Sequence, residues 1–280
     1  MKANKLIILV LLAAVAGSCG QSPKRQAATT NNEAVVSEQE EQSDEVELDT
    51  LVIPRCPENS DIKTDVQILL PAGYRGTEPA DFEPMLSEKW YDFYQDSITK
   101  KYFLEKATIE IGKFYDACLD DSTTEVHSKR DALILVKGII PQDKEIFSIP
   151  IKKRRIWPNE KYSFSFNGKT YLLRGDGNTI KSGMADYGEG TEKCDEVENY
   201  KLYLSEQGKP EQLIIAIPTF NYTFVQILWI GDLDGDGKPD FVFDTSRDYE
   251  ATSVLLFLSS KAGEGEIVKI AASSSYQFDC

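Results

Sequence analysis

The chain has 280 residues, and 46 acidic against 31 strongly basic side chains give a formal charge of −15. That length supports one large domain or two small ones with a sizeable core. The acidic balance excludes a nucleic-acid binder, whose phosphate contacts need a basic surface, and suits a self-repelling soluble surface and cation binding.

Met1–Lys5 is a short basic segment, and Leu6–Ala16 is an unbroken apolar run. The run falls short of the about 20 residues that a membrane-spanning helix needs. It fits the apolar core of a secretory signal that ends in small residues. Ala16-Gly17-Ser18-Cys19 resembles the lipobox of bacterial lipoproteins, with Ala16 where leucine is usual. The resemblance implies a signal peptide over 1–18, a lipid on Cys19, and the membrane as a partner through that lipid. Gly20 in place of an aspartate implies the outer membrane of the cell envelope, on either face.

From Gly20 to Thr50 there is no periodicity of 2 or 3.6, and after Arg25 every charge is acidic, from Glu33 to Asp49. Such a segment buries too little apolar area to offset chain entropy. Residues 19–50 are therefore expected to be a lipidated cysteine and a disordered acidic tether, and 51–280 a β-rich globular domain with a sub-boundary near 138–146. Without Cys19, the cysteines are Cys56, Cys118, Cys194 and Cys280. In an exported chain without a CxxC pair they are disulfide candidates, with three connectivities open.

Thr64–Leu70 alternates loosely, as a strand does. Asp81–Tyr94 places Leu86, Trp90 and Phe93 on one helical face with Pro84 in the first turn, which predicts the chain's one credible helix. Phe103–Ile111, Leu133–Val136 and Ile146–Ile151 then read as strands. Tyr162–Phe166 and Lys169–Leu173 flank Asn167-Gly168, a strong hairpin signal because both turn residues tolerate positive φ. Tyr200–Leu204 and Leu213–Ile217 predict a second hairpin around Glu206–Pro210. Phe224–Ile230, Phe241–Phe243, Val254–Leu258 and Ile267–Ile270 complete the pattern. Short strands, glycine-rich turns and almost no helix predict an all-β or β-dominated α+β fold of antiparallel hairpins or meanders. No internal repeat is present, which argues against a complete propeller.

The densest chemistry lies in Gly231–Asp240, where Asp232, Asp234, Asp236 and Asp240 alternate with Gly235 and Gly237. Calcium takes six to eight hard oxygens, and acids at loop positions 1, 3, 5 and 9 with a carbonyl at 7 supply them. Here those positions are Asp232, Asp234, Asp236 and Asp240, with the Lys238 carbonyl, and Gly237 permits the sharp turn. Position 12 is Phe243, not glutamate, and Phe241-Val242-Phe243 is strand-like, so an EF-hand is excluded. The segment instead resembles the FG-GAP/VCBS calcium loop that joins two β-strands. That resemblance covers about a dozen residues and implies calcium held by the same five positions, but not the propeller.

Other candidates carry bland readings. His127, the sole histidine, stands in no catalytic motif and reads as a surface residue. Glu189, Glu192, Asp195, Glu196 and Glu198 around Cys194 read as a solvated loop, with a weak second cation site as the sharper option. Lys152–Arg155 beside Trp157 reads as an exposed strand end, with docking of an anionic glycan or lipid headgroup as the sharper option. Arg174-Gly175-Asp176 reads as a turn. The preferred expectation is a non-enzymatic, lipid-anchored envelope protein with a calcium-stabilised β domain and an unidentified protein or glycan partner. The alternative is an envelope hydrolase for glycans or peptides, with catalytic carboxylates and structural calcium.

Overall fold

A computed structural model describes residues 62, 64–142, 144–186 and 191–278. The lipobox with Cys19, the acidic tether, Cys56, Glu189 and Cys280 lie outside the described residues. Within them the chain forms seventeen strands, one turn of α-helix (α1, Pro79–Phe82) and one 3-10 turn (Glu83–Ser87). No described helix is long and apolar enough to cross a membrane. The fold is β-dominated, its sheets are antiparallel, and the described residues close neither a barrel nor a propeller.

The first part holds two small antiparallel sheets. One sheet has the order β1 (Gln67–Leu69), β7 (Ala132–Lys137), β3 (Tyr91–Gln95), β4 (Tyr102–Lys106). Beside it lies β2 (Ala72–Tyr74), β6 (Asp121–Ser128), β5 (Ile109–Asp116). The single strand expected over Phe103–Ile111 breaks at Ala107-Thr108, where the chain passes from one sheet to the other. The predicted helix over Asp81–Tyr94 is corrected. Helical turns end at Ser87, and Phe93 lies fully buried in β3 while Leu86 is 52% exposed. The apolar spacing suited a helix, but Tyr91–Gln95 gains more by pairing with both β4 and β7.

The second part holds two four-stranded meanders. One contains β8 (Lys161–Phe166), β9 (Lys169–Lys181), β12 (Glu196–Glu206) and β13 (Gln212–Thr219), and β10 (Met184–Asp186) pairs with β11 (Thr191–Lys193) as a small ribbon. Asn167 and Gly168 turn the β8–β9 hairpin with φ of 45° and 81°, as a two-residue turn of this kind demands. Tyr162, Phe164 and Phe166 are buried and the two serines between them exposed. Both expected hairpins form.

The other meander, β14 (Gln226–Gly231), β15 (Asp240–Asp244), β16 (Ala251–Leu258) and β17 (Lys269–Gln277), is the central layer. Phe241, Phe243, Leu255 and Phe257 pack on the β8–β13 side with Phe164, Tyr171 and Leu202. Val242, Val254, Leu256 and Leu258 pack on the other side with Phe93, Ile134 and Val136. Burial on both faces explains why these strands are continuous apolar runs and do not alternate. Ile146–Ile151 is no regular strand: only Ile146 and Ser148 form bridges, to Tyr102 and Gly231, and Pro150 has no N–H for a ladder.

Arg174-Gly175-Asp176 is not a turn but lies inside β9. A Cβ on Gly175 would stand 2.4 Å from the Trp157 carbonyl oxygen, so the strand needs glycine for that close approach. Arg174 donates to both carboxylate oxygens of Glu211 at 2.9 and 2.8 Å and lies 4.3 Å over the Tyr203 ring. Its fork is therefore occupied within the sheet.

Cys118 is disulfide-bonded, whereas Cys194 is a half-buried free thiol. The second bond for which the cysteine count left room is not made through Cys194.

Candidate metal centre

The aspartate loop joins β14 to β15 at one end of the central sheet. Gly235 and Gly237 adopt φ of 81° and 82°, which coils the backbone and turns the acids of the loop toward one another. Leu233, between the first two acids, is 1% exposed and belongs to the core. The alternation is thus literal, with an apolar anchor pointing in and carboxylates turned toward the loop.

Asp232, Asp234 and Asp240 each bring one carboxylate oxygen to within 4.8 Å of the other two. Two oxygens bound to one calcium at about 2.3–2.6 Å lie at most about 5 Å apart, so these three already have ligand spacing. Asp232 Oδ1 is buried and accepts no hydrogen bond among the described residues, while Asp232 Oδ2 accepts from Gly237 N at 3.0 Å. A buried carboxylate oxygen without a donor is costly, and a cation is the partner its chemistry asks for. The residues present fit a hard, oxygen-loving ion.

Asp240, 0% exposed, is the best-held of the set. Its oxygens accept from Leu233 N at 2.8 Å, Ser259 N at 2.8 Å and Ser259 Oγ at 3.1 Å. Burial pushes its carboxyl well above the usual carboxylate range, and the charges of Asp234 and Asp236 push the same way against those hydrogen bonds. Asp232 is also raised, first by burial, with Asp236 and Asp234 adding to it and the N–H groups of Gly237 and Gly235 opposing. Such like-charge crowding is what a bound cation relieves.

Asp236 is not part of the three-carboxylate cluster. Ser259 Oγ lies 2.9 and 3.0 Å from its two carboxylate oxygens, sharing its one proton between Asp236 and Asp240, Lys238 N donates at 2.8 Å, and Lys238 Nζ lies 3.7 Å away. Ser260 Oγ donates to Asp234. Four neighbours that sequence reasoning missed therefore frame the loop. Ser259 and Ser260 follow β16, Asn167 Nδ2 donates to the Gly237 carbonyl at 2.7 Å, and Gln142 covers Gly235 so closely that a Cβ there would meet its Nε2 at 1.6 Å. Local sequence carries no sign of these contacts, because each comes from a distant segment.

The remaining candidates are scattered. His127 is exposed and lies 2.8 Å from Glu125. Glu192 pairs with Arg155, and Asp195 with Lys193 at 2.9 Å. Of the described acids around Cys194, Glu192 lies in β11, Asp195 between β11 and β12, and Glu196 and Glu198 at the start of β12, so they are partly neutralised and not in one open loop. No family model, curated protein or solved structure matches this chain.

Proposed function

We propose that this chain is a lipid-anchored protein of the bacterial envelope whose β domain is stabilised by calcium and serves a binding or structural role without catalysis. The observation that carries the calcium reading is the convergence of Asp232, Asp234 and Asp240 with a buried, unpartnered oxygen on Asp232. The Lys238 carbonyl, Asp236 after release from Ser259, and water would complete six to eight ligands. The single loop resembles the FG-GAP/VCBS type, and its place between two antiparallel strands, β14 and β15, agrees with that resemblance. The lipid anchor rests on Ala16-Gly17-Ser18-Cys19 and the apolar run before it, and the outer membrane is the expected site. A protein or glycan of the envelope is the expected partner.

Thermal melts of the purified chain with calcium and with excess chelator test the metal. Calcium at about 100 times its Kd adds about 2.7 kcal/mol, which for a domain of this size is a shift of about 5–11 °C. Equal melting in both conditions removes the metal from the reading. For the anchor, Cys19→Ser should release the protein from membranes, and a variant that stays membrane-bound contradicts the lipobox.

The hydrolase reading would use the cavity of about 550 Å³ lined by Asp195, Glu196 and Asp244. Two of these carboxylates are already engaged, Asp195 by Lys193 and Asp244 by Ser246 N at 2.9 Å. Release of reducing sugar or free amine from glycan or peptide substrates, lost in Asp195→Asn or Asp244→Asn, would establish the hydrolase instead.

A further inference from the structure

The basic run Lys152–Arg155 does not act as one patch. Lys153 pairs with Glu160 at 2.7 Å and Arg155 with Glu192, whereas Arg154 is exposed and has no ion-pair partner among the described residues. Arg154 instead lines a cavity of about 490 Å³ together with Lys100 and Lys101 from the β3–β4 turn. Lys101 is paired with Glu145, and Lys100 has no ion-pair partner among the described residues. Three cations against Glu145, the one acid among the described lining residues, leave a local charge of 3 − 1 = +2 in a chain whose total is −15.

The cavity is also built to hold its shape. Lys100 has φ of 59°, a conformation that a long side chain adopts only where the surroundings impose it. Lys100 N donates to the Asp96 carbonyl at 2.9 Å, Gln95 Nε2 donates to the Lys100 carbonyl at 2.9 Å, and Asp96 Oδ1 accepts from Thr99 N at 2.6 Å. Trp229, 1% exposed, forms part of the wall of the same cavity. Tyr102, next to Trp229 at 6.1 Å between ring centroids, feels both its own burial, which raises its hydroxyl, and Arg154, which lowers it. Phe147, Pro150 and Leu228 supply the apolar part of the lining.

We propose that this cavity binds a small organic oxyanion, a carboxylate or phosphate carried on a sugar-sized body. Lys100 and Arg154 hold the ligand's charge at the rim, and the apolar lining receives its body. The volume suits one such molecule, and the surplus of cations excludes neutral analogues by leaving a desolvated charge unpaired. This reading is independent of calcium, since none of these residues is a candidate ligand of the aspartate loop.

Isothermal titration of the purified chain with glucuronate, glucose 6-phosphate, inorganic phosphate and neutral glucose tests it. The two sugar anions should bind and glucose should not. Arg154→Gln and Lys100→Gln, both exposed positions that leave the melt unchanged, should each weaken binding roughly tenfold. Sugar anions that bind more tightly than inorganic phosphate support a site for the organic body as well as its charge. Phosphate that binds as tightly as glucose 6-phosphate overturns the organic ligand and leaves a bare oxyanion site. No binding of any anion up to about 10 mM, or equal affinity in the double variant, overturns the site itself.

Discussion

The Asn167 side-chain amide donates to the Gly237 carbonyl at 2.7 Å, so the tip of the β8–β9 hairpin holds the aspartate loop of a different sheet. One residue thereby serves two ends. Its backbone makes the hairpin turn, and its side chain steadies the carbonyl between Asp236 and Lys238. Asn167→Gly keeps the turn, because glycine tolerates the same φ, and removes only the contact. One neutral hydrogen bond contributes about 0.5–1.5 kcal/mol. The variant should therefore bind calcium about two- to tenfold more weakly in titrations followed by melting, with little change in chelator.

Replacing a ligand should act with the opposite sign in the two conditions. Asp234→Asn removes one carboxylate from the cluster and one of the charges that raise Asp240. The calcium-dependent shift should shrink or vanish, while the melt in chelator should stay the same or rise. An equal fall in both conditions would mean that Asp234 holds the backbone and not an ion.

The pH dependence follows from the raised carboxyls. Asp240 and Asp232 have folded values above the ordinary one, so between the two values the folded state holds protons that the unfolded state has released. Metal-free stability should therefore fall as pH rises from about 4 through their folded values. Glu206 and Asp176 work the other way. In Glu206, burial is outweighed by Lys169 and Lys209, and in Asp176 the Arg174 hydrogen bond leads, so both are lowered. Their stabilisation is lost only as pH falls below about 4. Melts in chelator between about pH 5 and 7 should thus drop with rising pH, and calcium, which binds the ionised carboxylates, should reverse that trend. Asp240→Asn should flatten both curves.

Gly175→Ala should destabilise strongly although the position sits in an ordinary strand. The added carbon would stand 2.4 Å from the Trp157 carbonyl and 2.7 Å from that of Ile156. Overpacking against backbone, which cannot rotate away, costs about 1–3 kcal/mol. A melt within error of the parent would show that the Ile156–Trp157 segment moves freely.

Much of the β architecture was legible because local rules and tertiary packing agree there. Asn167-Gly168 dictates its own turn, Tyr162, Phe164 and Phe166 alternate at strand period, and the alternating aspartates with Gly235 and Gly237 announce an oxygen-rich loop whatever surrounds it. The segment around Trp90 and Phe93 was misread because a three- and four-residue apolar spacing does not reveal that two strands wait on either side of β3. Periodicity likewise could not say why Phe241–Phe243 and Val254–Leu258 are apolar throughout. Only the stacking of the central sheet between two others accounts for it.

At the candidate metal centre, the type of oxygen atoms on offer and their order along the loop are legible from the sequence, since these depend on residue identity and on glycine's freedom in a short backbone. Tertiary structure decided which carboxylates converge. Ser259 draws Asp236 aside and holds Asp240 in place, and Asn167 and Gln142 frame the turn from other parts of the chain. The same division separates Arg154 from its basic neighbours. Four adjacent cations look alike in sequence, and the acids that neutralise Lys153 and Arg155, while none among the described residues pairs with Arg154, are brought there only by folding.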